Sequence, residues 1–323
     1  MNNKYDLCMN NNTFYVLRIL FFYFIQLIFI TAVFSQQQTI KITKGVTVNK
    51  PMIIYSPEYQ KEYILTHYWE DINVDSLKRS NELTNNLFAE FVHLLYQVPQ
   101  KTAIISLKKM LNLYFSDELI LNKILKLSEK NFFDPNSLFR NEEFYIPIIE
   151  TAISVNSLTY NQKRYFTDQL ALMNKNRINT FASDFNFTLA NGTVLNLYSI
   201  KSKYLILLFS NPQCHTCEVT IDQFFHSEII SKLLKIKKNN FSLVQILNIY
   251  TDNDLKVWFN YERSYPKLWI NGYDKDFEIN KKGLYDLKAM PTLYLLNEEK
   301  KVILKDISLL EIENYLISIK DSI

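Results

Sequence analysis

Residues 204–210 read YLILLFS, a continuous apolar run that does not alternate with polar positions. A strand of that kind has to be buried on both faces, so it requires a sheet covered from both sides. Within four residues of its end the chain enters a helical pattern that opens with Cys214-His215-Thr216-Cys217. A second buried strand follows in FSLVQILNIY, 241–250, and DNDLKVWFNYER then starts a helix behind an Asp cap. TLYLLN, KVILKD and an amphipathic helix from about Ser308 complete the series. Upstream, DFNFTLANGTVLNL places two alternating runs around Asn191-Gly192, which signals a hairpin. Strand and helix in this order describe an α/β sandwich on a mixed sheet, with helices on both faces. The long helical stretch after Cys214, residues 215–235, is expected to turn Val219, Phe224, Phe225, Ile229 and Leu233 inward.

The preceding part has a different period. From about Tyr55 to Asn176 apolar residues recur at three-and-four spacing: Leu87, Phe88, Phe91, Leu94 and Leu95 in one stretch, Ile104, Leu107, Met110, Leu111 and Tyr114 in the next. DELILNKILKLSEK opens with acids and ends with a base, as a helix dipole prefers. Further helices are expected at 141–153 and at 159–175, the latter starting at Thr159. These stripes read as core faces. The reading is therefore an all-α domain over 53–177 followed by an α/β domain over 178–323, with residues 36–52 a linker or short edge strand.

At the N-terminus, residues 19–34 form an apolar run preceded by Arg18 and followed by SQQQ. This reads as a signal peptide, residues 1–35, cut between Ser35 and Gln36. The alternative is an uncleaved membrane tether over 14–34. Cleavage would remove Cys8, leaving a mature chain with two of its three cysteines, Cys214 and Cys217, in a compartment where disulfides form. A formal net charge of +3, without a basic cluster interleaved with aromatics, gives no reason to expect nucleic acid.

Cys214 and Cys217 sit where a buried strand passes into the first turn of a helix. Unpaired N–H groups and the helix dipole there favour a thiolate at Cys214, and Cys217, one turn on, is placed to resolve a mixed disulfide. His215 either supports that thiolate when charged or is an ordinary solvated first-turn histidine. Structural zinc would need four ligands, and no second pair is present. A c-type haem needs His after the second cysteine, where Glu218 stands. A copper-delivery site stays open. No flavin, nucleotide or metal site is visible, so no cofactor is expected. A disulfide that merely staples the fold would close too short a loop to constrain the unfolded chain much. Finally, LKAMPTLYLLNEEKKVIL, 287–304, carries Pro291 directly before a strand. That suits a cis peptide in a tight turn that presents the Met290 backbone to an extended substrate.

LLFSNPQCHTC followed by MPTLYLLNEEKKVIL resembles the thioredoxin superfamily, and within it the extracytoplasmic TlpA/ResA-like branch. The hairpin before the first buried strand and the long gap between Cys217 and Pro291 favour that branch. HYWEDI, NFFDPNSLFRNEEFYIPIIE and QLALMNKNRINTFASDF resemble a helical domain of unknown function found ahead of bacterial thioredoxin-like domains. The resemblance implies a thioredoxin-like fold and a thiol–disulfide oxidoreductase, with Cys214 attacking, Cys217 resolving and Pro291 as the cis-proline. In the related branch a nearby acid helps deprotonate the buried cysteine, and Asp252, with Asp254 behind it, is the nearest candidate, each also readable as a helix cap. The sequence departs from the family at Gln213, in place of an aromatic, at the apolar residues around Leu208, in place of a buried acid, and at the His-Thr dipeptide. The expected role is exchange with disulfide-bearing protein substrates in the reducing direction, in a bacterial periplasm or other extracytoplasmic space, recharged by an upstream dithiol protein, in cell redox homeostasis. The contrasting expectation is a scaffold whose helical domain does the binding beside a redox-inert thioredoxin-like module.

Overall fold

The computed structural model describes residues 37–43, 46–51, 56–238 and 241–319, with side chains from residue 56 onward. The apolar N-terminal run, Cys8 and the expected cleavage point lie outside the described residues. Among the described residues no helix is long and apolar enough to cross a membrane. The chain divides into two compact units, residues 1–158 and 159–323.

In the first unit, β1 (Gln37–Thr43) and β2 (Val46–Pro51) pair antiparallel, where the sequence left a choice between linker and strand. Six helices follow: α1 (Pro57–His67), α2 (Val74–Arg79), α3 (Asn81–Leu95), α4 (Gln100–Tyr114), α5 (Glu118–Ser128) and α6 (Glu142–Ser154). Ser56, Asn73, Ser80, Asp117 and Asn141 each accept a first-turn N–H, which is why five of these helices begin where they do. The expected stripes are its core: Leu87, Phe88, Phe91 and Leu95 of α3 and Leu107, Met110, Leu111 and Tyr114 of α4 are all buried.

The second unit opens with α7 (Tyr160–Met173), started by a capping box between Thr159 and Gln162. The sequence pattern groups this helix with those before it, but the compact division falls ahead of it. Polar ties within the second unit hold its end: Lys305 Nζ donates to the carbonyls of Met173 and Lys175, and Lys175 Nζ to that of Gly283.

Then come β3 (Asn186–Leu189), β4 (Val194–Asn196), β5 (Ser202–Phe209), α8 (His215–His226), α9 (Glu228–Leu234), β6 (Lys237–Lys238), β7 (Phe241–Tyr250), α10 (Leu255–Tyr261), β8 (Ile270–Tyr273), α11 (Glu278–Lys281), β9 (Thr292–Asn297), β10 (Val302–Lys305) and α12 (Leu309–Ser318). The expected hairpin turns at Gly192, which takes the left-handed φ of +83°. The strands form one mixed sheet in the order β10-β9-β5-β7-β8-β3-β4, with β6 paired to β7. β5, β7 and β8 run parallel, and β9 lies antiparallel on the other side of β5.

The all-apolar strand does what its composition requires. Ile206 and Leu208 of β5 enter one core with Ile221, Phe224 and Ile312, while Leu205, Leu207 and Phe209 enter the opposite one with Phe187, Ile279 and Tyr285. Full burial of such side chains stabilises by about 1.5–3 kcal/mol each.

The helix expected over 215–235 is instead two. It breaks at Ser227, whose hydroxyl caps the next helix by accepting the Ile230 N–H. Its inward residues are Cys217, Ile221 and Phe224, then Ile230 and Leu234, whereas Val219 and Phe225 are each 44% exposed. The cap at Cys214 sets the phase, so the stripe runs through 217, 221 and 224 rather than through 219.

Candidate active site

The register of three strands assembles the site. Phe209 at the end of β5 pairs with Ile249 of β7 on one side and with Thr292 of β9 on the other. The residues just after β5, just after β7 and just before β9 therefore meet at one edge of the sheet, the carboxyl end of its parallel strands. The first of these segments carries the cysteines, the second Asp252 and the third Met290-Pro291.

Cys214 is the N-cap of α8, with extended backbone (φ −101°, ψ 113°), and its Sγ accepts the Cys217 N–H at 3.3 Å. A sulfur thus occupies the place where Ser or Asp usually closes a helix. On its other side Cys214 Sγ lies 3.5 Å from the carbonyl oxygen of Met290, to which it donates as a thiol. Both cysteines are free thiols; Cys214 is half-buried and Cys217 is fully buried. Burial is the first cause that pushes the Cys217 thiol pKa up to about 12, against the pull of a hydrogen bond from the Asn211 N–H. The pair is asymmetric: one sulfur reaches solvent and the other is held protonated behind it.

The Met290-Pro291 peptide is cis, as the sequence suggests. Pro291 is half-buried beside the cysteine turn, and Thr292 Oγ1 closes its own turn by donating to the Ala289 carbonyl at 2.6 Å. His215 points to solvent with 90% of its side chain exposed, its Nδ1 3.9 Å from Glu218 Oε2, which is the solvated reading of that residue. Asp252 is exposed and reaches the cysteine turn through Asn211, whose Nδ2 donates to Asp252 Oδ2 at 3.0 Å. Asp254 is a helix cap, accepting the Lys256 N–H.

Asn211 is the residue that sequence reasoning missed. Its backbone N–H draws the Cys217 pKa down against burial, its carbonyl accepts the Cys214 N–H at 3.0 Å, and its Oδ1 accepts the Gln213 N–H at 2.9 Å. One side chain and one carbonyl thereby hold the turn that carries Cys214 and link it to Asp252. The available signal was Asn before Pro at the end of a strand, which is turn chemistry. Asn248 was missed too, although an amide in a strand buried on both faces has to have a partner; it accepts from Ser210 Oγ at 2.6 Å.

With this geometry in place, the relatives can be set beside it. A thioredoxin-like protein from Bacteroides caccae superimposes with a TM-score of 0.80 at 39% identity, covering 86% of this chain and 99% of that one. This chain belongs to the thioredoxin-like proteins. The C-terminal domain of an uncharacterized protein from Bacteroides fragilis is 40% identical over 44% of this chain and 98% of its own, TM-score 0.42. A conserved protein of unknown function from the same species is 30% identical over 43% of this chain and 98% of its own, TM-score 0.41. Residues 31–176 match a domain of unknown function, DUF5106, in keeping with the resemblance noted for the helical part. That match runs through α7, past the compact division at Leu158. No curated protein matches the chain. In this thioredoxin-like chain β5 is apolar up to the cysteine turn, and the buried polar side chains at its end, Ser210 and Asn248, are neutral.

Proposed function

We propose that this protein is an extracytoplasmic thiol–disulfide oxidoreductase that passes electrons from its Cys214–Cys217 dithiol to disulfide-bearing proteins. The observation that carries the reading is the asymmetry of the pair. Cys214 Sγ caps a helix at the surface beside Met290, and Cys217 is buried one turn behind. The Cys214 thiolate attacks one sulfur of the substrate disulfide; a mixed disulfide forms and the other substrate sulfur leaves, taking a proton. Cys217 then attacks Cys214 Sγ, the intramolecular disulfide closes, and the second substrate sulfur leaves as a thiol. Two electrons have moved to the substrate, and an upstream dithiol protein restores the pair.

The reducing direction is supported by the surroundings of Cys214 Sγ, where a donated N–H is opposed by a carbonyl oxygen. Strong oxidants owe their potential to a stabilised reduced form, and this balance supplies little of that. The extracytoplasmic setting is supported by the apolar N-terminal run.

Replacing Cys214 with Ser should abolish exchange with a disulfide substrate; turnover at the unsubstituted rate would sink the proposal. A glutathione titration read by alkylation should place the pair near thioredoxin's roughly −270 mV, whereas a value near roughly −120 mV would reverse the direction.

A further inference from the structure

Asp252 is exposed, just beyond the end of β7, and the exchange described above makes no use of it. The Ser210 N–H donates to the Ile249 carbonyl at 3.2 Å, which carries the pairing of β5 with β7 one residue past β5. Beyond that bond one chain enters the cysteine turn and the other leads to α10. The next tie between them is made by side chains, Asn211 Nδ2 donating to Asp252 Oδ2 at 3.0 Å. Asn211 also opens a four-residue turn, Asn-Pro-Gln-Cys, in which its carbonyl accepts the Cys214 N–H at 3.0 Å. Pro212 takes the second place of that turn, where its fixed φ fits. Asn211 Oδ1 accepts the Gln213 N–H at 2.9 Å. An amide is planar, so a hydrogen bond that holds Nδ2 also orients Oδ1, and Asp252 braces the turn from outside. Asp252 Oδ1 in turn accepts the Asn253 N–H at 2.9 Å, which fixes the carboxylate. Both of its oxygens thus meet N–H donors, while Cys214 Sγ is engaged by the Cys217 N–H and the Met290 carbonyl.

We propose that Asn211 and Asp252 are a positioning pair for the attack by Cys214, in which the carboxylate is a hydrogen-bond acceptor that braces the turn and not an acid or base for either cysteine. This rests on the dithiol-exchange reading above. The sulfur chemistry is unchanged by it. Cys214 attacks one sulfur of the disulfide, that S–S bond breaks, the mixed disulfide forms and the departing sulfur takes a proton from water, with no proton or electron passing through Asp252. What the pair supplies is geometry. Cys214 Sγ meets the Cys217 N–H in the N-cap conformation, φ −101° and ψ 113°, and the bond from the Cys214 N–H to the Asn211 carbonyl holds the backbone there. A turn that frays takes that N–H away from the sulfur, so less of Cys214 is thiolate and attack slows.

The test uses the reduced full chain, with Cys8→Ser throughout so that Cys214 and Cys217 are its thiols, and the neutral disulfide 4,4′-dithiodipyridine. Attack by Cys214 releases one thiopyridone and resolution by Cys217 releases a second, so stopped-flow absorbance separates the two steps. Asp252→Asn and Asp252→Ala lose the same charge, and only the first keeps an oxygen for the Asn211 amide. The difference between them therefore reads the acceptor alone. Asp252→Ala should slow the first release about fivefold relative to Asp252→Asn, the scale of one hydrogen bond. Asn211→Asp, which sets two carboxylates against each other, should slow it as well. Adding Asp252→Asn to that variant should recover the rate, because the amide then donates from the other side. This rescue decides the matter if Asp252→Ala does not fold. Equal first-phase rates in Asp252→Asn and Asp252→Ala, or no rescue, would overturn the proposal and leave the exchange reading intact. Release of a single thiopyridone by the protein without further substitution would overturn both.

Discussion

Polar side chains are buried in both units, and they serve different ends. In the helical unit Tyr68 donates to the Leu87 carbonyl and to Glu90, and Tyr114 donates to the Trp69 carbonyl at 3.1 Å. Their rings pack around Trp69, at 5.4 and 6.0 Å, with Phe91 at 5.4 Å. Each hydroxyl there meets a backbone carbonyl, and that of Tyr68 a carboxylate as well, which lets a tyrosine be buried with its hydroxyl satisfied. In the second unit the buried pair Ser210 and Asn248 instead bond side chain to side chain at 2.6 Å, directly before the turn that carries the reactive sulfurs. A buried polar group marks chemistry only when its partners converge on a group that can react.

Three experiments bear on that contrast. Phe91→Ala should have the largest effect, lowering the stability of the helical unit by about 3–5 kcal/mol, the usual range for a fully buried phenylalanine. Denaturant melts measure the loss, and the rate of Cys214 alkylation in the folded protein should stay the same. A large change in that rate would break the division of roles between the units.

The second is a pH series on the reduced protein. Cys217 has a folded pKa raised to about 12, against about 8.5 for a free thiol. The folded state therefore holds this proton more tightly than the unfolded one. Its contribution is fully present below about pH 8.5 and is lost as the pH rises towards 12. The buried tyrosines of the helical unit, raised above the ordinary value near 10 chiefly by desolvation, respond only above pH 10. Melts of the second unit should accordingly weaken first with rising pH, and Cys217→Ala should remove the early part of that decline. An early decline that persists in Cys217→Ala would assign it to another group.

The smallest effect is expected from Tyr114→Phe. It removes one donor from the Trp69 carbonyl and should cost about 1 kcal/mol. It should leave the rate of Cys214 alkylation in the folded protein untouched.

Much of this was legible in the residues. The apolar run at 204–210 demanded a sheet covered on both faces, and β5 feeds both cores. Asn191-Gly192 marked its hairpin, Thr159 and Ser308 marked their helix starts, and the stripes of α3 and α4 marked their core. Cys214 and Cys217 were placed at a helix start because the strand before them and the period after them leave no other position. The inward face of α8 was not legible, because the expected stripe ran on through Ser227 while the cap at Cys214 rotated the pattern. Local periodicity could not show the ties at the end of α7 either, since they reach Lys305 and Gly283 from far along the chain.

By itself, then, the sequence determined the two periods, the class of each half and the strand–cysteine–helix junction, all of which depend on neighbours a few residues apart. Only the tertiary structure decided what surrounds the sulfurs. Ser210 meets Asn248 across 38 residues, Asn211 meets Asp252 across 41 and Cys214 meets Met290 across 76. Those meetings depend on strand register, and a shift of one residue would have turned Asn248 of β7 to the opposite face of the sheet.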